Sequence, residues 1–222
     1  MTTVQTGPAL AVPGEASLQE LLRYSRLLYD RGLICATGGN TSMRIGDIVW
    51  ITRTGAVLGE LEAEDLVPVA LDGTVLADER PSKELGMHLA LYNARPGVRA
   101  VIHVHPLQCI AYSARQRPSE DSMVPYTAAF YMRAGRVPMV GYYPSGSPAL
   151  HEAVEALAAR YHAILLQNHG IIVGAADMRA ALGIVEEMEQ NAELGLILGR
   201  EANYLTAAQC AAIDASMGRS WE

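Results

Sequence analysis

Apolar residues recur every three or four positions early in the chain, and later segments change to short apolar runs separated by turns. The segment LQELLRYSRLLYDRG carries leucine at helical spacing, which predicts an amphipathic helix. Ser17 and Glu20 have the spacing of a capping box at its start, and Gly32 suits its end. The segments 41–52 and 66–77 each hold two apolar runs around Gly-Asp or Asp-Gly, so we expect two β-hairpins.

The rest of the chain alternates between helical and strand patterns. Residues 82–94 return to helical spacing with Ser82 available as a cap, and the β-branched run at 100–104 predicts a strand. Pro106 suits the first turn of a following helix. This order predicts a layered α/β domain with a mixed sheet. The further elements are a helix with Ser147 and Pro148 at its start, the strands AILLQ and IIVGA around the turn NHG, a long helix from Asp177 to Gly199, and a last helix capped by Thr206 with Gln209.

Composition narrows the class of protein. Half of the 222 residues are apolar and 18% are charged, which fits one compact domain over 1–222. The net charge of −7 argues against nucleic-acid binding, and no apolar run reaches the length of a membrane span. Three scattered cysteines predict a reducing, cytoplasmic environment. Residues 1–15 lack the features of a signal peptide and are expected to form a loose lead-in.

Candidate chemistry begins with the histidines. His103 and His105 lie two positions apart at the end of a predicted strand, so both imidazoles project from one face and can share a metal ion. They could equally be two polar residues on a wet strand end. His169, in the turn NHG, can supply a third nitrogen, and three protein ligands with an open position are usual for catalytic zinc. Alone, it would be interpreted as a hydrogen-bonded turn residue.

A carboxylate and three polar stretches accompany these histidines. Glu84 lies in the first turn of the helix predicted over 82–94, where the amide dipoles favour a negative charge. Near a metal, the same carboxylate can serve as a ligand or as a general acid–base. The turns ATGGNTS (36–42) and TRTG (52–55) and the pair Ser82-Lys83 offer donors to an anion. Each of these features also has a plain structural interpretation, as a helix-end charge or an ordinary turn.

Taken in chain order, these residues resemble the class II aldolase/adducin-like family of fuculose-phosphate and ribulose-phosphate enzymes, with GGNTS, TRTG, PSKE, HVH and NHG as markers. The resemblance implies a single three-layer α/β/α domain with a central, largely antiparallel mixed sheet. It also implies a homotetramer with active sites between adjacent subunits. His103, His105 and His169 then correspond to the ligands of a divalent metal, and Glu84 to the catalytic acid–base, which can also touch the metal in the empty site. The positions that bind substrate phosphate in the family correspond to Gly39, Asn40, Thr54, Gly55, Ser82 and Lys83.

Within the family, RPSKELGMHLALY, VPYTAAFYMRAGRVPMVGYY and YLTAAQ look most like the 3-oxo-tetronate 4-phosphate decarboxylases. This resemblance implies a metal-dependent lyase that releases dihydroxyacetone phosphate from its substrate through an enediolate. One alternative is a class II aldolase that cleaves a ketose 1-phosphate through the same intermediate. A non-catalytic assembly module is another, although the adducin-like members lose metal histidines that this chain keeps. Three histidines suit Zn²⁺, while Co²⁺, Mn²⁺ and Fe²⁺ stay open.

Other residues are weaker candidates. Lys83 stands where the better-known aldolases carry a second serine, and it could pair with substrate phosphate or with the departing carboxylate. The epimerase branch usually has an aspartate in place of Glu84, which argues against an epimerase. In relatives, the segment holding Tyr126, Tyr131 and Arg133 reaches a neighbouring subunit's site, with interface packing or a salt bridge as alternatives. His88, one helical turn after Glu84, is interpreted as a satisfied half-buried residue, with a supporting role near the site as the alternative. His151 and His162 are interpreted as surface residues.

Overall fold

A seven-stranded sheet forms the centre of the part of the chain that the computed structural model describes, residues 15–199 and 201–221. The strands are β1 (Asn40–Ile45), β2 (Ile48–Thr52), β3 (Leu66–Ala70), β4 (Ala100–Val104), β5 (Met139–Val140), β6 (Ala163–Leu166) and β7 (Gly170–Ala175). The helices are α1 (Glu15–Asp30), α2 (Leu85–Ala94), α3 (Leu107–Ala114), α4 (Ala128–Ala134), α5 (Pro148–Ala158), α6 (Met178–Leu198) and α7 (Ala207–Met217). Two short 3-10 turns, Leu58–Glu60 and Ala63–Asp65, lie between β2 and β3.

The strand order is β3-β2-β1-β4-β7-β6-β5. Neighbouring strands run antiparallel except β5 and β6, which are parallel. In the centre, Asn40 of β1 lies opposite His103 of β4, and Val104 of β4 lies opposite Ile171 of β7. These registers bring the start of β1, the end of β4 and the start of β7 to the same end of the sheet.

Helices cover both faces of the sheet. Ile102 and Val104 of β4 pack with residues of α1, α3, α4 and α6 in one core. Val101 packs with residues of α2 and α5 in a second core on the opposite face. Because side chains alternate along a strand, His103 points to the same side as Val101, toward α2. This arrangement confirms the three-layer α/β/α class with a largely antiparallel mixed sheet. None of the helices in the described ranges combines the length and apolar character needed to cross a membrane.

Most element starts follow the sequence signals. The first hairpin forms as β1 and β2, with a positive φ at Gly46 in its turn. Ser147 and Asp177 cap α5 and α6 through their side chains, and Thr206 with Gln209 forms the capping box of α7. The caps predicted at Ser147 and at Thr206 with Gln209 are therefore confirmed, and α6 begins at the position predicted for it, directly after Asp177.

Two sequence predictions are wrong in detail, and a third holds only in part. Ser17 does not cap the first helix, since α1 already includes Glu15. The segment 66–77 forms only a short hairpin on the free side of β3, with a single bridge between Val69 and Val75. Two backbone hydrogen bonds flank this bridge, from Ala70 to Thr74 and from Leu76 to Pro68. Residues 82–84 precede α2 and form a turn instead of its first turn. The short helix α4 was not predicted, and the prediction of a loose lead-in over 1–15 lies, apart from residue 15, outside the described residues.

Candidate metal centre and active site

Three imidazoles meet at the end of the sheet where β4 finishes and β7 begins. His103 is the last but one residue of β4, His105 directly follows that strand, and His169 occupies the turn before β7. The centroids of the three rings lie 4.8–5.0 Å from one another. The spacing of two in HxH and the antiparallel pairing of β4 with β7 together explain why residues 66 positions apart in sequence converge.

The ring nitrogens form a donor set that fits a divalent cation. His103 Nδ1 donates to the carbonyl oxygen of Ile171 at 2.9 Å, so Nε2 is the nitrogen that faces the cluster and would bind a metal. His105 Nε2 lies 3.1 Å from His103 Nε2, and the ligand atoms of the three histidines lie within 4.8 Å of one another. Two nitrogens on a tetrahedral zinc ion at about 2.0–2.1 Å are separated by roughly 3.3 Å. Burial and the two neighbouring histidines lower the pKa of His105 to about 3, which keeps it neutral and able to ligate.

Glu84 places a buried carboxylate against this cluster. Its Oε2 lies 3.1 Å from His103 Nε2, and its Oε1 lies 3.3 Å from His169 Nε2. Asn40 donates to Oε2 at 2.9 Å, and Ser145 donates to Oε1 at 2.7 Å. Burial raises the pKa of Glu84, but His103, His169 and Ser145 outweigh burial and hold the pKa below its usual range. The carboxylate is therefore ionised at neutral pH, with both oxygens fixed.

Glu84 occupies the residue before α2 instead of the predicted first turn. Its backbone N–H donates to the Ser82 hydroxyl at 3.2 Å. The residue therefore belongs to a tight turn between the sheet and α2, and its side chain extends back toward the edge of β4. The helix dipole alone therefore does not stabilise this carboxylate, because the side chains of Asn40 and Ser145 donate to it.

The glycine pair before β1 lets the backbone approach the histidines closely. A Cβ on Gly39 would lie 2.8 Å from the His103 carbonyl oxygen, and Gly39 also has a φ of +70°. A Cβ on Gly38 would lie 2.9 Å from His105 Nδ1. Both distances are shorter than side chains tolerate, so the sequence GGN is required by packing here as well as being available to a ligand.

The predicted anion-binding stretches lie at the same end of the sheet. The Thr54 hydroxyl donates to the Pro81 carbonyl oxygen at 2.8 Å, and the Ser82 N–H donates to the Thr52 carbonyl oxygen at 3.0 Å. Thr54 and Gly55 are exposed, whereas Ser82 is buried. Lys83 is exposed beside Glu84, and its aliphatic stem lies where a Cβ on Gly146 would clash. Of these residues, Asn40 and Ser82 contact Glu84 directly, and Thr54 contacts the segment before Glu84 through Pro81.

One residue of the site was not predicted from the sequence, and the burial of another was underestimated. Ser145 lies in a loop 61 positions after Glu84, and no motif marks it. His88 was interpreted as half-buried, but it is fully buried, with Nε2 2.6 Å from Asn40 Oδ1 and Nδ1 2.7 Å from Ser42 Oγ. Its position four residues after Glu84 was the available signal, since residues four apart share a helix face.

The other candidates lie in contacts away from the histidines. The Tyr131 hydroxyl donates to Asp214 at 2.8 Å, and the Tyr126 ring packs edge-on to Tyr204. Arg133 forms an exposed ion pair with Glu187. For Tyr131 and Arg133, these contacts fit the structural alternatives within one chain.

Comparison with known proteins identifies the family. The Class II Aldolase and Adducin N-terminal domain family matches residues 19–196. The chain belongs to this family. The match covers α1 through most of α6, and so includes every strand of the sheet and all three histidines.

Two relatives and one solved structure resemble the chain over most of its length. The 3-oxo-tetronate 4-phosphate decarboxylase of Pectobacterium atrosepticum is 38% identical over 198 residues, which cover 88% of this chain and 91% of that protein. The L-fuculose phosphate aldolase of Methanococcus maripaludis is 35% identical over 181 residues, covering 82% and 97%. Among solved structures, YgbL from Klebsiella pneumoniae superposes with a TM-score of 0.86 at 35% identity, covering 91% of this chain and 100% of that one.

Proposed function

We propose that this family member is a divalent-metal-dependent lyase that decarboxylates a 3-oxo-tetronate 4-phosphate to dihydroxyacetone phosphate. The observation that carries the proposal is the convergence of His103, His105 and His169 on one point, with the ionised Glu84 between two of the rings. The decarboxylase of P. atrosepticum, 38% identical over most of both chains, supports this choice of reaction.

The chemistry requires an acceptor for the electron pair that remains when CO2 leaves. A divalent cation held by His103, His105 and His169 would supply Lewis-acid polarisation of the substrate carbonyl. The C–C bond electrons then enter the former ketone as an enediolate, and the carbon that has lost CO2 gains a proton. We assign that proton transfer to Glu84. Because its pKa lies below the usual range, Glu84 must first take up a proton from solvent, while Asn40 and Ser145 keep its two oxygens in place.

Phosphate recognition is assigned to the turns beside Glu84. The backbone at Gly39 and Asn40, the exposed Thr54-Gly55 turn, and Ser82 and Lys83 provide donors on one side of the histidine cluster. Lys83 is the cation of this group and could pair with the phosphate or with the leaving carboxylate. Its charge is among the smaller causes that lower the pKa of His105, after burial and the neighbouring histidines.

Glu84→Gln tests the proton-transfer role. The amide keeps the size of the side chain but cannot carry the proton, so kcat should fall by roughly a hundredfold or more. Metal content, measured by elemental analysis, should remain that of the wild type. Glu120→Gln is the matched control, because Glu120 pairs with Arg160 on an exposed surface. Normal turnover in Glu84→Gln would remove Glu84 from the mechanism.

A class II aldolase is the second candidate function. The similarity to the aldolase of M. maripaludis, 35% identical, favours it, and cleavage of a ketose 1-phosphate would give the same enediolate of dihydroxyacetone phosphate. The two reactions differ in the other product. CO2 release from a 3-oxo-tetronate 4-phosphate supports decarboxylation, and aldehyde release from fuculose 1-phosphate supports aldol cleavage.

The proposal also covers the metal, the assembly and the compartment. We assign Zn²⁺ because three neutral imidazoles suit it; elemental analysis tests this assignment. We assign one domain per chain and a homotetramer with sites at subunit interfaces. The exposed Leu107 (68%), two residues after His105, and the exposed Tyr142 (64%), three residues before Ser145, support this assembly. Light scattering measures the mass of the assembly. The free cysteines support a cytoplasmic location.

A further inference from the structure

A continuous series of buried hydrogen bonds leads from Glu84 into the protein interior. Asn40 Nδ2 lies 2.9 Å from Glu84 Oε2, and Asn40 Oδ1 lies 2.6 Å from His88 Nε2. His88 Nδ1 lies 2.7 Å from Ser42 Oγ, which in turn lies 2.8 Å from the Tyr92 hydroxyl. None of the five side chains is exposed by more than 4%. The series links β1 to α2 and ends at the carboxylate of the candidate site.

The donors and acceptors allow only one direction along this series. An ionised carboxylate can only accept, so the amide nitrogen of Asn40 faces Glu84 and its oxygen faces His88. His88 must therefore donate from Nε2. Burial lowers the pKa of His88 to about 3, so the neutral ring has a bare Nδ1. Ser42 then donates to that nitrogen, and Tyr92 donates to Ser42.

We propose that His88 is a positioning residue that aligns Glu84 through Asn40. The Nε2–H group of His88 determines which end of the Asn40 amide faces the carboxylate. Without this donor, the amide can rotate by half a turn and present its carbonyl oxygen to Glu84, which repels it. Glu84 would then lose the Asn40 donor at Oε2, and among the described side chains only Ser145 would remain as a donor apart from the metal-site histidines. The inference rests on the proposed function in one respect, because it takes Glu84 as the group whose alignment limits turnover.

The kinetic test compares three variants in the metal-loaded enzyme. His88→Phe keeps a buried ring without a donor and should lower kcat by roughly 10- to 100-fold, with KM changed less than about threefold and metal content unchanged. His88→Gln places an amide N–H within reach of Asn40 and should recover much of the loss. His162→Phe is the control, since it removes a ring that contacts the Arg133 carbonyl oxygen at 3.0 Å, remote from Glu84; its kcat should match the wild type.

A double-mutant cycle separates positioning from a general loss of packing. If His88 acts through Asn40, then His88→Phe should reduce kcat by less than about twofold when Asn40→Ala is already present. Losses that multiply in the double variant would overturn the inference. So would full kcat in a folded His88→Phe protein.

A spectroscopic test does not depend on turnover. Nitrogen-15 NMR of the imidazole at neutral pH should show His88 with a protonated Nε2 and a bare Nδ1; the opposite tautomer would overturn the inference even if His88→Phe does not fold. Wild-type protein with this tautomer but neither decarboxylase nor aldolase activity would refute the proposed function and leave the assigned hydrogen bonds intact.

Discussion

Gly170→Ala should damage the histidine cluster by forcing two strands apart. Gly170 begins β7 directly after His169, and a Cβ at this position would lie 2.3 Å from the Val104 carbonyl oxygen and 2.9 Å from His105 Cδ2. The first of these atoms belongs to the backbone of β4, which cannot rotate away. The added methyl group therefore acts on both segments that carry the imidazoles.

The size of the effect follows from ordinary contact distances. Non-bonded atoms prefer roughly 3.5 Å, so the edge of β4 must move by about 1 Å. Overpacking of this kind costs about 1–3 kcal/mol of unfolding free energy, which corresponds to a Tm lower by roughly 2–12 °C for a domain of this size. A displacement of about 1 Å also exceeds what a preorganised site tolerates, so metal affinity should fall at least about tenfold.

The assay pairs metal retention with thermal unfolding. Purified Gly170→Ala is dialysed against a competing chelator, its bound metal is measured by elemental analysis, and its Tm is recorded with and without added Zn²⁺. Gly97→Ala is the matched control, because a Cβ on Gly97 meets nothing within 4 Å and its φ is not positive. Wild-type metal retention and Tm in Gly170→Ala would refute the packing argument.

Three further predictions concern the stability of the fold. Asp214→Ala should lower the unfolding free energy by about 2–3 kcal/mol and change Trp221 fluorescence, because Asp214 accepts from Tyr131 and Trp221 at 2.8 Å each; denaturant titration measures the loss. Chelation of a bound metal should lower Tm, and stoichiometric Zn²⁺ should restore it. The folded-state pKa of His88, about 3, lies below its ordinary value of 6.5, so the unfolded chain binds the extra proton between these values. Stability present above pH 6.5 is therefore lost as the pH falls, by about 2 kcal/mol at pH 5, and urea titrations of wild type and His88→Gln should show a smaller loss in the variant.

Sequence patterns predicted the fold best where local signals and burial agree. The Gly46 turn lies between strands whose alternating residues face the core, and Ser147 precedes a helix with one apolar side. The signals failed where tertiary contacts decide. Ser17 and Glu20 have capping-box spacing, yet α1 already includes Glu15, two residues earlier. The helix α4 has only seven residues, too few for a periodic pattern to stand out.

The residues of the candidate site also differ in how far the sequence predicts them. The histidines were predictable because HxH and NHG mark the ends of strongly apolar strands, and strand pairing does the rest. Ser145 was not predictable, since its contact with Glu84 depends on a loop from a distant part of the chain. His88 was misjudged because α2 lies between the sheet and α5 and is apolar on nearly all sides. Such a helix gives no periodic signal of which side is buried.

The division of the site between framework and loops bears on how its chemistry can change. All three imidazoles are anchored by strands in the middle of the sheet, whereas Glu84, Lys83 and Ser145 are carried by connections outside it. Replacing these connections would leave the ring geometry untouched. Directed evolution toward a new carbon–carbon lyase should therefore randomise residues 81–84 and 143–146 and leave β4, β7 and the adjoining His105 and His169 constant.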